Sequence, residues 1–394
     1  MSLTGFTYLQ KRRILILTII LTISSVLFSL TASSFLGFYN TFNAYLGEGE
    51  DILAIYDRKS TTPFTGLVPL QLTTRIESID GVLATSPEII TPTLVKGKSI
   101  FIRGVIPEEL AKLNSLTILD GETLELNNTN SAILGKTLAH TLGLTPGDTM
   151  LVSGVLANRY VELTIKGIYE SNSPLDDEAL TPLYIGQWLR GRNYGLVTII
   201  RVKIDRSKVV PAQIFEVIAE EPSTPQPGEE RKPSPIEEII PISTATINPE
   251  NLGVKETSEF MKTYLDRYGM TQETLLILST VVFFFASATM FGASHTIIRQ
   301  HEREIFVLRS LGTSAKTLKL DLIVKLLPWS LSASALGILI STALLFALEQ
   351  SSALQALSHT IHFRPDPLLI AVNLLLVSAL VVTGVIHSSR HLNI

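Results

Sequence analysis

Four stretches of the chain contain no Asp, Glu, Lys or Arg for long enough to cross a lipid bilayer, which takes about 20 apolar residues. The mean hydropathy of +0.33, with only 17% charged residues, also favours a membrane protein. The alternative is that these stretches are buried core helices of a soluble fold. The sequence predicts four transmembrane helices, at residues 14–38, 274–298, 326–348 and 367–389.

The positions of lysine and arginine predict the orientation of these helices, because basic residues concentrate on the cytoplasmic side. The basic ends all lie on one side of the membrane if both termini are cytoplasmic. The segment between the last two spans has only one basic residue, Arg364. The sequence therefore predicts a multi-pass protein of the plasma membrane with a large domain outside. Of the residues outside the spans, 1–13, 299–325 and 390–394 are predicted to lie in the cytoplasm. Residues 39–273 and 349–366 are predicted to lie outside the cell.

The first apolar stretch has an alternative interpretation as a signal peptide, because Lys11, Arg12 and Arg13 precede it. Its apolar run is longer than the roughly 7–15 residues of a signal-peptide core, which favours a membrane span. Small residues in the segment Leu30–Ser34 keep cleavage open as an alternative.

The outer segment, residues 39–273, predicts a mixed α+β domain inserted between the first two spans. Asp51–Asp57 and Lys98–Val105 alternate like strands. Ser131–Gly154 predicts a strand, Gly135, a short helix, a turn and a second strand, and Arg159–Glu170 predicts the antiparallel partner of that second strand.

The two ends of the outer segment differ from its middle. The polar run Tyr39–Gly47 continues the first span outward, and Asn251–Leu276 is predicted to be helical and to lead into the second span. Together they predict stalk extensions. Residues 221–241 are rich in proline and charge, which indicates an exposed linker or a partner-recognition arm.

No residue cluster predicts catalysis, a cofactor or a metal. The chain has no cysteine and no GxxxxGK[ST] phosphate loop, and a net charge of −4 gives no argument for nucleic acid as a partner. The pairs His359/His362 and His387/His391 have too few ligands nearby for a metal site. The acidic run Asp176–Glu178 predicts a solvated turn, with calcium binding as the alternative.

The predicted cytoplasmic loop contains an amphipathic helix, "EREIFVLRSLGTS", at Glu302–Ser314. Its apolar residues recur every three or four positions, which places them on one helix face. Gly312 is predicted to end the helix, and Thr313 or Ser314 to cap a second short helix. Taken alone, the pattern is also typical of a helix that lies in the membrane interface.

The residues of this helix resemble a segment of the FtsX-like permeases, the MacB/LolC/LolE group of ABC-transporter membrane subunits. Phe306 stands where that family often has glycine, and Ser310 where it often has alanine. The predicted order of one span, a large outer domain and three spans is similar to that of the family as well. The matching positions are Arg303, Glu304, Ile305, Val307, Leu308, Arg309, Leu311 and Gly312.

The resemblance implies a permease that dimerises with an identical or different chain and carries two cytoplasmic ABC ATPase subunits, which bind the ATP. It implies mechanotransmission, in which ATPase motion moves the outer domain to export, extract or release a substrate. Leu308 and Leu311 would anchor the helix in the ATPase, and Arg309 would supply an electrostatic contact. The coupling residues implied are Arg303, Glu304, Ile305, Leu308, Arg309, Leu311 and Gly312.

Two other function classes stay open at this point. The chain could be a non-transporting signalling or scaffold protein of the same group, whose outer domain regulates an extracellular partner. It could also be a membrane-anchored hydrolase, although no nucleophile, base and orienting acid can be grouped from the sequence.

Overall fold

Two units make up the computed structural model, one helical and one mixed α/β. The helical unit contains Met1–Tyr39, Met270–Leu354 and Ile361–Ile394, and the other contains Asn40–Gly269 and Gln355–Thr360. The residues described are 11–43, 45–46, 51–60, 65–127, 129–191, 193–219, 252–257, 259–262, 274, 277, 281, 284, 288, 291–292, 295–296, 299–351, 355–356, 358–361, 363 and 365–391.

Helices and strands are numbered in chain order. The described helices are α1 (Lys11–Asn43), α2 (Leu72–Glu77), α3 (Pro107–Leu113), α4 (Lys136–Leu142), α5 (Leu183–Arg190), α6 (Pro211–Ala219), α7 (Glu302–Ser310), α8 (Ala315–Gln350) and α9 (Pro367–His391). The described strands are β1 (Ile52–Asp57), β2 (Val68–Pro69), β3 (Val82–Val95), β4 (Lys98–Val105), β5 (Thr117–Gly121), β6 (Ser131–Gly135), β7 (Thr149–Gly154), β8 (Arg159–Glu170), β9 (Glu178–Pro182), β10 (Leu196–Val197), β11 (Ile199–Ile204), β12 (Leu252–Glu256), β13 (Gln355–Ala356) and β14 (His359–Thr360).

Three helices among the described residues are long and apolar enough to cross a membrane. They cover Ile14–Thr41 in α1, Ala315–Gln350 in α8 and Pro367–His387 in α9. The predicted span at residues 274–298 lies mostly outside the described residues, so the count of four spans stays a prediction. The proline-rich segment 221–241 lies outside them entirely.

Small and polar side chains hold α1, α8 and α9 together. Asn373 Nδ2 donates to Ser29 Oγ (2.6 Å), and Ser334 Oγ donates to Asn373 Oδ1 (3.1 Å). A side chain at Gly337 would meet Ser25 Cβ at 2.6 Å, so glycine permits the close approach of α1 and α8. Hydrogen bonds between helices stabilise packing where water is absent. Ser25, Ser29 and Ser334 therefore contribute to helix packing within the chain.

A ten-stranded sheet forms the centre of the outer domain. Its order is β12-β1-β11-β3-β4-β9-β6-β8-β5, and β7 pairs with β3 and β8. The pairs β4–β9 and β6–β8 are parallel, and the remaining pairs of this sheet are antiparallel. Helices cover the sheet and bury two main apolar clusters, one around Leu53 and Ile200 and one around Ile102 and Leu163.

The strand predictions for the middle of this domain are confirmed. Lys98–Val105 is β4, and Ser131–Gly154 forms strand, helix and strand in the predicted order. Arg159–Glu170 is β8 and pairs antiparallel with β7. The alternation of buried and exposed residues is clearest in β7 and β8, and Gly135 and Gly143 lie at the two ends of the helix that follows β6.

The prediction of a helix from Asn251 onward is wrong at its start. Leu252–Glu256 is a strand that pairs antiparallel with β1, with Leu53 opposite Glu256 and Tyr56 opposite Gly253. Pairing with β1 satisfies backbone groups at the edge of the sheet, and this tertiary gain outweighs a weak local helix preference. Residues 263–273 lie outside the described residues.

Candidate functional site

Helix α7 ends where the sequence predicted, at a glycine turn. Gly312 has a φ of +92°, in the left-handed region that favours glycine. Its N–H donates to Arg309 O (2.9 Å), and the N–H of Thr313 donates to Leu308 O (3.3 Å). This pair of bonds is the Schellman arrangement, which satisfies carbonyl groups at the end of a helix.

The helix that follows is much longer than the predicted short one. Ser314 caps α8, because its Oγ accepts from the N–H of Thr317 (3.2 Å). The 36 residues of α8 then run without a break to Gln350. At about 1.5 Å per residue, such a helix exceeds the roughly 30 Å thickness of the bilayer hydrocarbon. The charged segment after Ser314 and the predicted third span therefore belong to one helix, with Pro328 inside it.

The two faces of α7 have different surroundings. Ile305 and Leu308 are buried and pack in a cluster of the helical unit that includes Leu318 and Leu322 of α8. Leu308 is 6% exposed, whereas Leu311 is 75% exposed. The two leucines that the resemblance paired as anchors therefore lie in different environments.

Exposed apolar side chains lie on the other face of α7. Phe306 is 71% exposed and Val307 is 56% exposed, and Leu311 follows at the end of the helix. Arg303 and Arg309 are exposed beside them, and Glu304 is half-buried. The sequence reading assigned no role to Phe306 or Val307, because it followed the buried stripe of the helix.

The acidic run Asp176–Glu178 is not a solvated turn. All three side chains are buried, and Glu178 is 0% exposed. Asp176 accepts hydrogen bonds from the N–H of Ser171 (2.6 Å) and the N–H of Asn172 (3.1 Å). Because its neighbours satisfy these oxygens, the acidic run belongs to the interior of the domain.

Glu178 belongs to a buried ionic cluster formed by four side chains on four adjacent strands, namely Glu88, Arg103, Glu178 and Arg201. Arg103 Nη1 lies 2.6 Å from Glu88 Oε2, and Arg103 Nε lies 2.6 Å from Glu178 Oε2. Arg201 binds Glu88 Oε1 at 2.6 Å. Two carboxylates and two guanidinium groups balance in charge, which allows all four to be ionised away from water.

Residues outside the four strands complete the ionic cluster. Arg201 donates to Leu46 O (3.0 Å) and to Asn114 Oδ1 (2.6 Å). The hydroxyl of Tyr45 donates to Glu178 Oε1 (2.5 Å), and His359 Nε2 lies 3.0 Å from the same oxygen. Every nitrogen of the two guanidinium groups thereby has an acceptor, as a buried cation requires.

The cluster shifts the pKa of its acids. Burial opposes ionisation of Glu178, but Arg103 and the hydrogen bond from His359 outweigh it and lower the pKa to about 2, from an ordinary 4.5. Burial likewise opposes ionisation of Glu88, and Arg201 and Arg103 lower its pKa. Burial and the neighbouring Glu178 raise the pKa of Tyr45 well above its ordinary value. Tyr45 therefore stays a hydrogen-bond donor.

A second contact lies beside the ionic cluster. The N–H of Thr360 donates to Asp177 Oδ2 (2.7 Å), and its hydroxyl donates to Asp177 Oδ1 (2.9 Å). Thr360 and His359 form β14, which pairs with β13 in a two-stranded hairpin. The ring of His359 also stacks on Phe101, with 5.5 Å between ring centroids.

Among the described residues, no group of three or more His, Cys, Asp or Glu lies close enough together to hold a metal ion. His359 contacts a carboxylate and two aromatic rings instead. His387 lies beside His295, with 6.4 Å between ring centroids. His362 and the side chain of His391 lie outside the described residues.

Two family models match the chain. The MacB-like periplasmic core domain matches residues 14–219, and the FtsX-like permease C-terminal matches residues 276–394. The first match alone spans more than half of the chain. The chain belongs to the FtsX/MacB-type permease family.

Solved structures similar to this permease come from distant sequences. The periplasmic region of MacB from Actinobacillus actinomycetemcomitans is 11% identical, with a TM-score of 0.36, and the match covers 55% of this chain and 92% of that one. The extracellular domain of the noncanonic ABC-type transporter YknZ from Gram-positive bacteria is 14% identical, with a TM-score of 0.31, and the match covers 42% and 88%. A comparison with curated proteins finds no match. The family assignment rests on the two family models.

Membership sets the broad role of the chain. FtsX/MacB-type permeases are membrane components of ABC transporters, work with cytoplasmic ABC ATPases and dimerise. The outer domain of this permease corresponds to the periplasmic core domain of the family. The ionic cluster of that domain was missed by sequence reasoning, because its members are up to 113 positions apart in the chain. A sequence signal was available in the position of these charges beside apolar residues, with Glu88 before Ile89 and Ile90 and Arg103 after Phe101 and Ile102.

Proposed function

We propose that this permease transmits the motion of a cytoplasmic ATPase to its outer domain through α7, for export, extraction or release of a substrate. ATP binds to the ATPase subunit, and this chain supplies the mechanical link. The observation that carries the proposal is the outward face of α7, where Phe306, Val307 and Leu311 are exposed on a helix whose other face is packed in the core.

The outward face of α7 has the features of a helix that docks in a groove. Three exposed apolar residues within six positions supply buried area on binding, and the flanking Arg303 and Arg309 supply charge at the rim. Phe306 is an aromatic anchor where the family often has glycine. We therefore assign the anchoring contacts to Phe306, Val307 and Leu311, and assign Leu308 to the internal packing of α7.

The route of motion follows from the way α7 is attached. Its buried face lies in an apolar cluster shared with α1, α8 and α9, and the Gly312 turn and the Ser314 cap join α7 to α8 within four residues. A short, fully hydrogen-bonded turn resists bending, so a displacement of α7 also displaces the start of α8. Because α8 continues as one helix through Pro328 to Gln350, we expect the displacement to reach the far end of the predicted third span.

The test is a detergent pull-down of the tagged permease from its native membrane, with the ATPase activity of the purified sample recorded. We compare wild type with Leu311→Glu and Arg309→Glu. The matched control is Leu151→Glu, because Leu151 is 65% exposed in the outer domain and receives the same substitution. We expect the co-purified ATPase activity to fall at least about tenfold in Leu311→Glu, since a buried charge costs several kcal/mol in an apolar groove.

The outcomes separate docking from simple surface anchoring. If wild type and Leu151→Glu carry an ATPase and Leu311→Glu does not, the outward face of α7 is the docking surface. If all variants carry the same activity, docking lies elsewhere and the proposal for α7 fails. If wild type carries no ATPase, α7 is an interfacial helix and the proposed transmission is wrong.

A further inference from the structure

Three separate parts of the chain meet at the carboxylate of Glu178. Glu178 lies in the domain sheet, at the start of β9, and its partner Arg103 lies on the neighbouring β4. Tyr45 comes two residues after the last residue of α1. His359 belongs to the hairpin between the end of α8 at Gln350 and the start of α9 at Pro367. Oε1 of Glu178 lies within 3.2 Å of donor groups from Tyr45, His359 and Arg103.

The adjacent residue makes a parallel attachment. Asp177 accepts the backbone N–H and the hydroxyl of Thr360, so both of its carboxylate oxygens hold the hairpin. Consecutive acidic residues thus bind consecutive hairpin residues, with Glu178 against His359 and Asp177 against Thr360. The two contacts fix where the hairpin lies along the acidic run Asp176–Glu178, and they also fix the distance between the hairpin and the acidic run.

The acidic run Asp176–Glu178 is itself held against the sheet by contacts with β6 and β8. Gly135 approaches it so closely that a Cβ at this position would lie 2.3 Å from Asp176 O. The hydroxyl of Tyr169 donates to Leu175 O (2.6 Å) and approaches Glu178 O (3.2 Å). These contacts join the turn to β6 and β8 in the sheet.

Stability alone is a poor explanation for this arrangement. A buried ionic cluster is seldom more stabilising than apolar packing of the same volume, because each charge loses its hydration. A fully satisfied polar network is, however, rigid and directional, whereas apolar surfaces can slide past one another. The hairpin and the segment after α1 are thus attached by contacts that resist sliding.

From this geometry we propose that Asp177 and Glu178 form a joint that carries displacement of the hairpin and of the segment after α1 into the sheet of the outer domain. The joint consists of Tyr45, Asp177, Glu178, His359 and Thr360. It deepens the proposed function and rests on it, because the displacement originates in the ATPase. The hairpin between α8 and α9 brings the displacement to Glu178. Arg103, which binds both Glu178 and Glu88, carries the displacement to the central strands.

The joint can be broken without removing its rings. His359→Phe keeps the stack on Phe101 but removes the nitrogen that contacts Glu178, and Tyr45→Phe removes only the hydroxyl. Thr360→Val removes the side-chain donor to Asp177 and keeps the backbone donor. Tyr160→Phe is the matched control, because Tyr160 is 68% exposed on β8.

The experiment uses the permease–ATPase complex in lipid nanodiscs and measures amide hydrogen exchange with and without ATP. Without nucleotide, we expect the Thr360 amide to exchange about tenfold faster in the His359→Phe, Tyr45→Phe double variant. With ATP, we expect the nucleotide-dependent change in exchange across β4 and β9 to disappear, while ATP hydrolysis continues. Tyr160→Phe should match wild type in both measurements.

Each outcome decides the proposal. A hairpin that loosens while β4 and β9 still respond to ATP overturns the joint and leaves a structural role only. A hairpin that does not loosen also overturns it, because Glu178 would not be holding it. If the wild-type complex contains no ATPase or shows no response to ATP, the proposed function has failed first, and the joint fails with it.

Discussion

Helix α7 and the ionic cluster both contain charged residues, but those of α7 are exposed to water and those of the cluster are buried. Glu302, Arg303 and Arg309 of α7 are exposed, and exposed charges contribute little to stability. In the cluster, Glu88, Arg103 and Glu178 are 0% exposed. Removing one partner there leaves another charge without water or a counter-ion, which is strongly unfavourable.

The difference shows what kind of work each region suits. α7 presents a surface that a partner can bind and release, because Phe306, Val307 and Leu311 on its outward face are exposed. The cluster is a fixed part of the domain, because every charge in it depends on the others. The exposed face of α7 suits a contact that must form and break. The buried ionic cluster suits a contact that must transmit a displacement unchanged.

Removal of Arg103 should have the largest effect. We expect Arg103→Met to lower the free energy of unfolding of the outer domain by about 3–5 kcal/mol, since Glu178 would lose its guanidinium partner. Unfolding in urea is followed by the fluorescence of Trp188 in a Trp329→Phe background, which leaves Trp188 as the only tryptophan of the chain.

The matched control for this prediction is Lys112→Met, which removes an exposed cation paired with Glu109. We expect a change within about 0.5 kcal/mol, because solvent screens that pair. A double variant, Arg103→Met with Glu178→Gln, should recover part of the loss, because it removes one charge of each sign and leaves Glu88 paired with Arg201. Equal losses for Arg103→Met and Lys112→Met would contradict the contrast between buried and exposed charges.

The second-largest effect should appear in acid, where we expect the free energy of unfolding of the outer domain to fall by about 3 kcal/mol. The pKa of Glu178 falls from 4.5 to about 2 on folding, so its contribution is complete above pH 4.5 and is lost as the pH falls toward 2. We expect the urea midpoint of the outer domain to drop across this range. Glu178→Gln should show a lower midpoint at pH 7 and a smaller drop below pH 4.5.

Glu88 contributes to the loss of stability in acid as well. Burial acts against its ionisation, but Arg201 and Arg103 lower its pKa, so it adds a loss of the same sign in acid. The drop in Glu178→Gln should therefore be reduced and not abolished. A drop as large as that of wild type would show that Glu178 does not contribute to the acid response.

The sequence predicts the parts of this molecule that depend on neighbours in the chain. The strand-helix-strand unit at Ser131–Gly154 and the stop at Gly312 follow from glycine placement and periodicity. The β12 strand and the buried acidic run could not be predicted in this way. Each depends on a partner far away, β1 for the strand and the Thr360 hairpin for Asp177.

The same limit applies within α7. Periodicity correctly identifies an apolar stripe through Ile305 and Leu308, but it cannot say whether the stripe faces a partner or the chain's own core. The structure places it in the core. The exposed residues Phe306 and Val307 break the periodic pattern, which is why sequence reasoning gave them no role.

The smallest expected effect, about 1 kcal/mol, concerns the turn that joins α7 to α8. Gly312 has open space around its Cα, so the only penalty for a side chain is its left-handed backbone. We expect Gly312→Ala to speed exchange of the Thr313 amide about fivefold, because the Schellman bond to Leu308 O weakens. Gly312→Asn should have a smaller effect, since asparagine tolerates this conformation better. Exchange in the outer domain should not change in either variant. If alanine and asparagine behave alike, the turn does not depend on the left-handed geometry, and the short link between docking helix and α8 must be held by the Ser314 cap instead.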